Sequence, residues 1–347
     1  MADERTETTE LAVAFGLLNI HPSETDYRSI STRFEGTLTG EKFQNLKNTL
    51  RDSTVLRNMF DKLFELGVCL KRARPDLFPD SANVRWVGPV QQSRSVTVSQ
   101  DLVYGTTSIS VKAESRVVFN LSPYNLFVSL PQGRVFARGG PNWFLRQAPE
   151  AYQRLFEVVS AATVYASVEE FERLATRTER KALERYCAQL SKEDQERFKE
   201  RYYVLCHETA KASAEEFRRE LSASLESLHA AAVLDELLRR FLRLDSSHYV
   251  LCGLDRGVPF AYLIPSITDW KRHAELAEVS VEPDLEAQQS KVRFNLSLRV
   301  RRGDGRVQVP FHAEIRWSHG RFCGNPEAKL YRDFNDWSVV PGIVRIL

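Results

Sequence analysis

Apolar residues recur at three- and four-residue steps over residues 41–71, where Phe43, Leu46, Leu50, Leu56, Phe60, Leu63 and Phe64 fall on one face. This spacing predicts an amphipathic helix, interrupted near Ser53 and ended by Pro75 and Pro79. From about 84 to 136 the pattern changes to short β-branched and aromatic runs, RSVTVSQDLVY, SISVKAESRVVF, NLFVSLP and GRVFAR, which predict strands joined by tight turns. Residues 149–245 are rich in Glu and Arg and nearly free of Gly and Pro, with helical stripes at Phe171 and Leu174 and at Leu234, Leu237, Leu238 and Phe241. Within them Ser191 precedes Lys192-Glu193-Asp194, a capping residue followed by an acidic first turn. Strands return after 246 as HYVLCGL, PFAYLIP, SKVRFNLSLRVRR, RVQVPFHAEIRW and GRFCG, with a hairpin turn over residues 302–305.

The grammar therefore predicts an α+β protein with three units: a mixed α/β domain over 1–148, a helical domain over 149–245 and a β-rich domain over 246–347. The 347 residues are 43% hydrophobic and 27% charged, which excludes disorder, collagen or a coiled coil as the whole answer. A net charge of +2 leaves any nucleic-acid partner to local patches. No apolar run approaches the roughly 20 residues that span a bilayer, and the opening MADERTETTE lacks a signal pattern. A cytoplasmic location without membrane contact is the expectation. The five cysteines stand far apart with no zinc spacing, so reduced and mostly buried thiols are expected. No GxxxxGK[ST], GxGxxG or HExxH occurs, which removes the motif-based ATPase, dinucleotide and zincin assignments.

Candidate chemistry lies in the segment Val96 to Ser115. It reads as a strand bearing Asp101, a turn at Gly105 and a second strand carrying Ser110 and Lys112. Strand side chains alternate faces, so Ser110, Lys112 and Glu114 are expected on one side and Ile109, Val111 and Ala113 on the other. A lysine on a short, half-apolar strand needs a counter-charge, and Asp101 across the hairpin is the natural one.

This segment, with the helix before it, resembles the core of the PD-(D/E)XK nuclease superfamily, the restriction-endonuclease-like fold, over about residues 41–130. The resemblance implies that an acid on one strand and an acid-x-lysine on the next bind a divalent metal, Mg²⁺ or Mn²⁺, and position the attacking water. Asp101 matches the first acid and Lys112 the lysine, while Ser110 stands where the second acid usually stands and Gln100 where a proline often precedes the first. A hydroxyl is a poorer ligand for a hard cation than a carboxylate, so Glu114, two residues beyond Lys112, and Glu65, on the preceding helix, are the candidates to complete a metal set with Asp101. The implied function is a metal-dependent DNA endonuclease of prokaryotic restriction or antiphage defence, acting as a homodimer or with a protein partner of such a system. The alternative is a non-catalytic subunit that holds nucleic acid or protein through a degenerate nuclease core.

Asp304, Glu314 and Arg316, with His312 on the face of Glu314, imitate the same pattern near the C-terminus. Arginine cannot readily exchange a proton, so a cross-strand charge ladder is expected there. Trp317, His319, Arg321, Phe322 and Tyr331 suit either base stacking or a half-buried β surface. His207 reads as structural, since Cys206 beside it points elsewhere on a helix.

Overall fold

The N-terminal segment forms helix α1 (Glu4–Leu18), buried on every side from Thr8 to Leu18. Such a helix has no apolar stripe, so periodicity did not mark it. The computed structural model describes residues 4–88, 100–134, 136, 140–303, 305–317 and 319–347. After a short helix α2 (Tyr27–Ser31), the expected amphipathic helix forms as α3 (Gly40–Asp52) and α4 (Thr54–Ala73). It breaks where expected, at Ser53, whose hydroxyl accepts the Leu56 amide and so caps α4. The backbones of α1 and α4 nearly touch: a Cβ on Gly16 would lie 2.1 Å from the Phe64 carbonyl oxygen, and one on Gly67 would lie 2.6 Å from that of Val13.

Strands β1 (Val84–Trp86), β2 (Leu102–Tyr104) and β3 (Thr107–Ala113) form an antiparallel meander. The predicted strand residues Val96–Ser99 lie outside the described residues. The run SISVKAESRVVF divides at Glu114, and its second half, β4 (Val117–Leu121), joins a different sheet. NLFVSLP is not the predicted strand. Asn125–Ser129 make a wide helical turn, closed by the Leu130 amide on the Asn125 carbonyl, because Leu126, Phe127, Val128 and Leu130 are all buried and alternation has no solvent face to serve. GRVFAR lies partly outside the described residues, and its described members form no strand.

Six helices follow: α5 (Trp143–Gln147), α6 (Pro149–Glu157), α7 (Val168–Leu174), α8 (Arg177–Ala188), α9 (Lys192–Leu225) and α10 (Ala230–Leu242). Ser191 caps α9 as its sequence suggests, accepting the Asp194 amide. The remaining strands are β5 (Tyr249–Asp255), β6 (Val258–Ile264), β7 (Ala274–Pro283), β8 (Ser290–Val300), β9 (Arg306–Trp317), β10 (Pro326–Arg332) and β11 (Val344–Arg345). GRFCG is a turn rather than a strand: Phe322 adopts a positive φ of 62° and plugs its ring into the core.

The protein is α+β, with a six-stranded sheet in the order β1-β2-β3-β5-β6-β11 and a five-stranded sheet in the order β4-β10-β9-β8-β7. Both draw on 1–148 and 246–347, so these two stretches interleave. In the first sheet β3 pairs with β5 in parallel, Ser110 opposite Leu251 and Lys112 opposite Gly253. One face, with Ile109, Val111, Val250 and Cys252, packs on α1, α3 and α4. The other, with Tyr249, Leu251 and Tyr262, faces a second core shared with α9, α10 and the second sheet. The first sheet is thus the wall between two cores. Among the described residues no helix is long and apolar enough to cross a membrane.

Gly253 permits the parallel pairing, because a Cβ there would sit 1.6 Å from the Lys112 carbonyl oxygen at a φ of 153°. Gly253→Ala is expected to cost on the order of 3 kcal/mol in chemical denaturation, whereas Gly305→Ala, which meets nothing within 4 Å, stays within about 0.5 kcal/mol of the parent. Equal effects would show that the contact at Lys112 does not constrain the sheet.

Candidate active site

Asp101 precedes β2, and the pairing of Leu102 with Ile109 brings it opposite Ser110. Its backbone amide donates to the Ile109 carbonyl at 3.0 Å. Its Oδ2 accepts the Val111 amide at 2.7 Å and the Ser110 hydroxyl at 3.3 Å. A carboxylate thus occupies a place that a neighbouring strand's carbonyl would normally take. Lys112 Nζ stands 3.9 Å from the same oxygen, so the expected cross-hairpin pair forms, at long range. The Lys112 side chain keeps a quarter of its surface exposed and that of Asp101 about a tenth. Partial burial lowers the Lys112 pKa, the nearby Arg243 charge lowers it further, and Asp101 and Glu10 oppose both.

Glu10 is the acid that the sequence reading missed. It lies on α1, 5% exposed, and its Oε2 accepts the Trp86 indole N–H at 2.7 Å. Burial pushes its pKa up to about 7; the indole hydrogen bond opposes this, the Asp101 charge adds to it, and the Lys112 charge opposes it. The signal available in the sequence was weak: Glu10 begins the run ELAVAFGLL, where every later residue is apolar or glycine.

The other two acids do not converge on Asp101. Glu114 was expected to share the Ser110 face, but β3 ends at Ala113 and Glu114 takes a φ of 57°, which breaks the alternation. Its exposed carboxylate instead accepts the Arg256 and Gly257 amides at 2.8 and 2.7 Å and staples the β5–β6 turn. Glu65 is exposed on α4 and lines a recess with Asn19, His21, Glu24, Asp61 and Phe64, away from Asp101. Neither stands as the expected second metal acid. Among the described residues no group of three or more His, Cys, Asp or Glu is placed to hold a metal ion.

The C-terminal imitation forms a set of charge pairs, two of them along β9 rather than across strands as expected. His312 Nδ1 lies 2.6 Å from Asp333, its Nε2 lies 3.8 Å from Glu314, and Arg316 reaches Glu314 at 3.7 Å. Asp304 falls outside the described residues. Trp317 and Phe322 stack inside the protein, against Tyr202 and Tyr152 respectively. His207 packs on the Tyr203 ring at 3.9 Å, and burial pushes the Cys206 thiol up to about 11, which disfavours its thiolate. Comparison with protein-family models, curated proteins and solved structures finds no match.

Because folding raises the Glu10 pKa from about 4.5 to about 7, the folded state favours its neutral form. That contribution is complete below the unfolded value and is lost as pH rises through about 7. Glu10→Gln keeps a neutral side chain at every pH. Its stability relative to the parent is expected to rise between pH 4.5 and 7.5, by roughly 3 kcal/mol in denaturant titrations. A difference constant with pH would mean that folding leaves the Glu10 pKa unchanged.

Proposed function

We propose that this chain is a divalent-metal-dependent nuclease hydrolysing DNA phosphodiester bonds, with Glu10 as the second acid in place of Glu114 or Glu65. The observation that carries the reading is the convergence of Asp101 and Lys112 across the β2–β3 hairpin, in a sheet preceded by helices. That is the arrangement implied by the resemblance to PD-(D/E)XK nucleases. The donors fit a hard cation, since the Asp101 and Glu10 carboxylates offer oxygen. Two carboxylates suit Mg²⁺ or Mn²⁺, since such ions commonly keep several waters and share ligation with a phosphate.

An ion held by Asp101 and Glu10 would supply Lewis acidity and make a water acidic enough to ionise near neutrality. Lys112, partly exposed and held beside Asp101, orients that water and offsets the negative charge that grows on the phosphorus oxygens. A bond would form from the water oxygen to phosphorus as the ester P–O bond breaks, and the departing oxygen would take up the proton that the water gives up. Trp86 fixes the Glu10 carboxyl through its indole N–H, and the Val111 amide fixes that of Asp101. A cytoplasmic restriction or antiphage role, with a homodimer or a protein partner, follows from the resemblance.

One observation favours a second reading, a non-catalytic nucleic-acid- or protein-binding subunit. Ser110 occupies the usual acid position, and the oxygen of Asp101 nearest Lys112 is already engaged by Val111 and Ser110. Plasmid nicking in Mg²⁺ or Mn²⁺ separates the two. Asp101→Ala, Lys112→Ala and Glu10→Gln are expected to lose at least about 100-fold in rate, with Glu114→Gln and Glu65→Gln close to the parent. No cleavage by the parent in either ion, with DNA binding that weakens steeply with salt, would establish the binding subunit instead.

A further inference from the structure

Arg243 ends α10 in the left-handed conformation, with a φ of 56°, and is 5% exposed. Its Nη1 donates to the Val118 carbonyl at 2.7 Å and its Nη2 to the Ser110 hydroxyl at 3.3 Å. Its own carbonyl accepts the Tyr249 hydroxyl at 2.9 Å. Among the described residues its Nε makes no hydrogen bond, and no carboxylate lies within ion-pair distance of it. A buried guanidinium cannot shed its charge, so a cation left without an anion is costly.

The geometry runs in one line. Arg243 donates to Ser110, and Ser110, wholly buried, donates to the Asp101 oxygen that Lys112 also faces. The place occupied by an acid in the family pattern is therefore backed by a fixed positive charge. A carboxylate at residue 110 would meet that charge before it met a metal ion.

We propose that Arg243 is the positioning residue of this site: it holds Ser110 as a neutral bridge onto Asp101 and would capture any acid placed at 110, so position 110 is closed to metal ligation. The inference rests on the nuclease reading for its metal and rate arms, but not for its stability arm.

The central test is Ser110→Asp, read by thermal unfolding and by Mn²⁺ binding in electron paramagnetic resonance. With Arg243 as the counter-charge, Ser110→Asp stays folded with a Tm at or above the parent's, and its Mn²⁺ affinity stays within about threefold. Loss of the fold, a Tm lowered by more than about 3 °C, or an affinity raised tenfold or more overturns the proposal. Ser110→Asp combined with Arg243→Gln should lose the tolerance that the single variant shows; if it is as stable as Ser110→Asp, the arginine is not the counter-charge.

A rate arm separates positioning from mere support. Arg243→Lys and Ser110→Ala should each lower kcat for nicking about tenfold with KM for DNA unchanged, and the double variant should be no worse than the worse single one. Additive losses, or a rise in KM alone, would overturn the relay. If Arg243→Lys does not fold, Ser110→Asp and Ser110→Ala still decide. If the parent neither binds Mn²⁺ nor nicks DNA, the nuclease reading fails by itself, and the Tm of Ser110→Asp alone decides whether Arg243 holds position 110.

Discussion

The first sheet depends on one parallel contact, between the Lys112 carbonyl on β3 and the bare Cα of Gly253 on β5. Parallel strands cannot be joined by a tight turn and need a long crossover. Here the crossover holds β4 and every helix from α5 to α10. It leaves the end of β3 at Glu114, whose positive φ turns the chain toward the second sheet. It returns through Arg243, at the end of α10, onto β5. The finish of the crossover comes back to its start, where Arg243 bonds the Ser110 hydroxyl on β3 and the Val118 carbonyl on β4.

What could be read from the sequence follows from how each segment is buried. The helix pair over 40–73 has a solvent face, so its stripe is visible, and its break at Ser53 carries a capping hydroxyl. Helix α1 has no such face, and the acid it carries was invisible for the same reason. Asp101 and Lys112 were legible because a two-residue hairpin fixes their register locally. Glu114 was misread because alternation ends with the strand, and one positive φ undoes it. Glu10 and Arg243 reach the site only through tertiary packing, from helices far apart along the chain, and no local pattern encodes such a meeting.

Charge at the site nearly balances by number and not by position. Lys112 and Arg243 carry two positive groups and Asp101 and Glu10 two acids, yet the only pairing within 4 Å among these four described residues is the long one between Lys112 and Asp101. Burial discourages ionisation of Glu10 and of Lys112 alike. The Arg243 charge adds to the effect of burial on Lys112, whereas Glu10 responds to burial, the Trp86 indole, Asp101 and Lys112. Elsewhere charge is paired more directly: Arg332 of the second sheet bonds Asp255 at the end of β5 at 2.8 Å and links the two sheets.

The long crossover also orders the protein's biosynthesis. As the chain leaves the ribosome, α1 to α4 and the meander emerge before the crossover, yet β3 has no partner on its inner edge until residues 249–255 have been made. Until then an apolar strand edge carrying Lys112 lies open, of the kind that invites pairing with another chain. The first core can close only late in synthesis, while the helices of the crossover are already available to collapse. A nascent chain halted before β5 would hold Asp101 and Lys112 on an unfinished sheet, so their final surroundings form only after the whole crossover has been made.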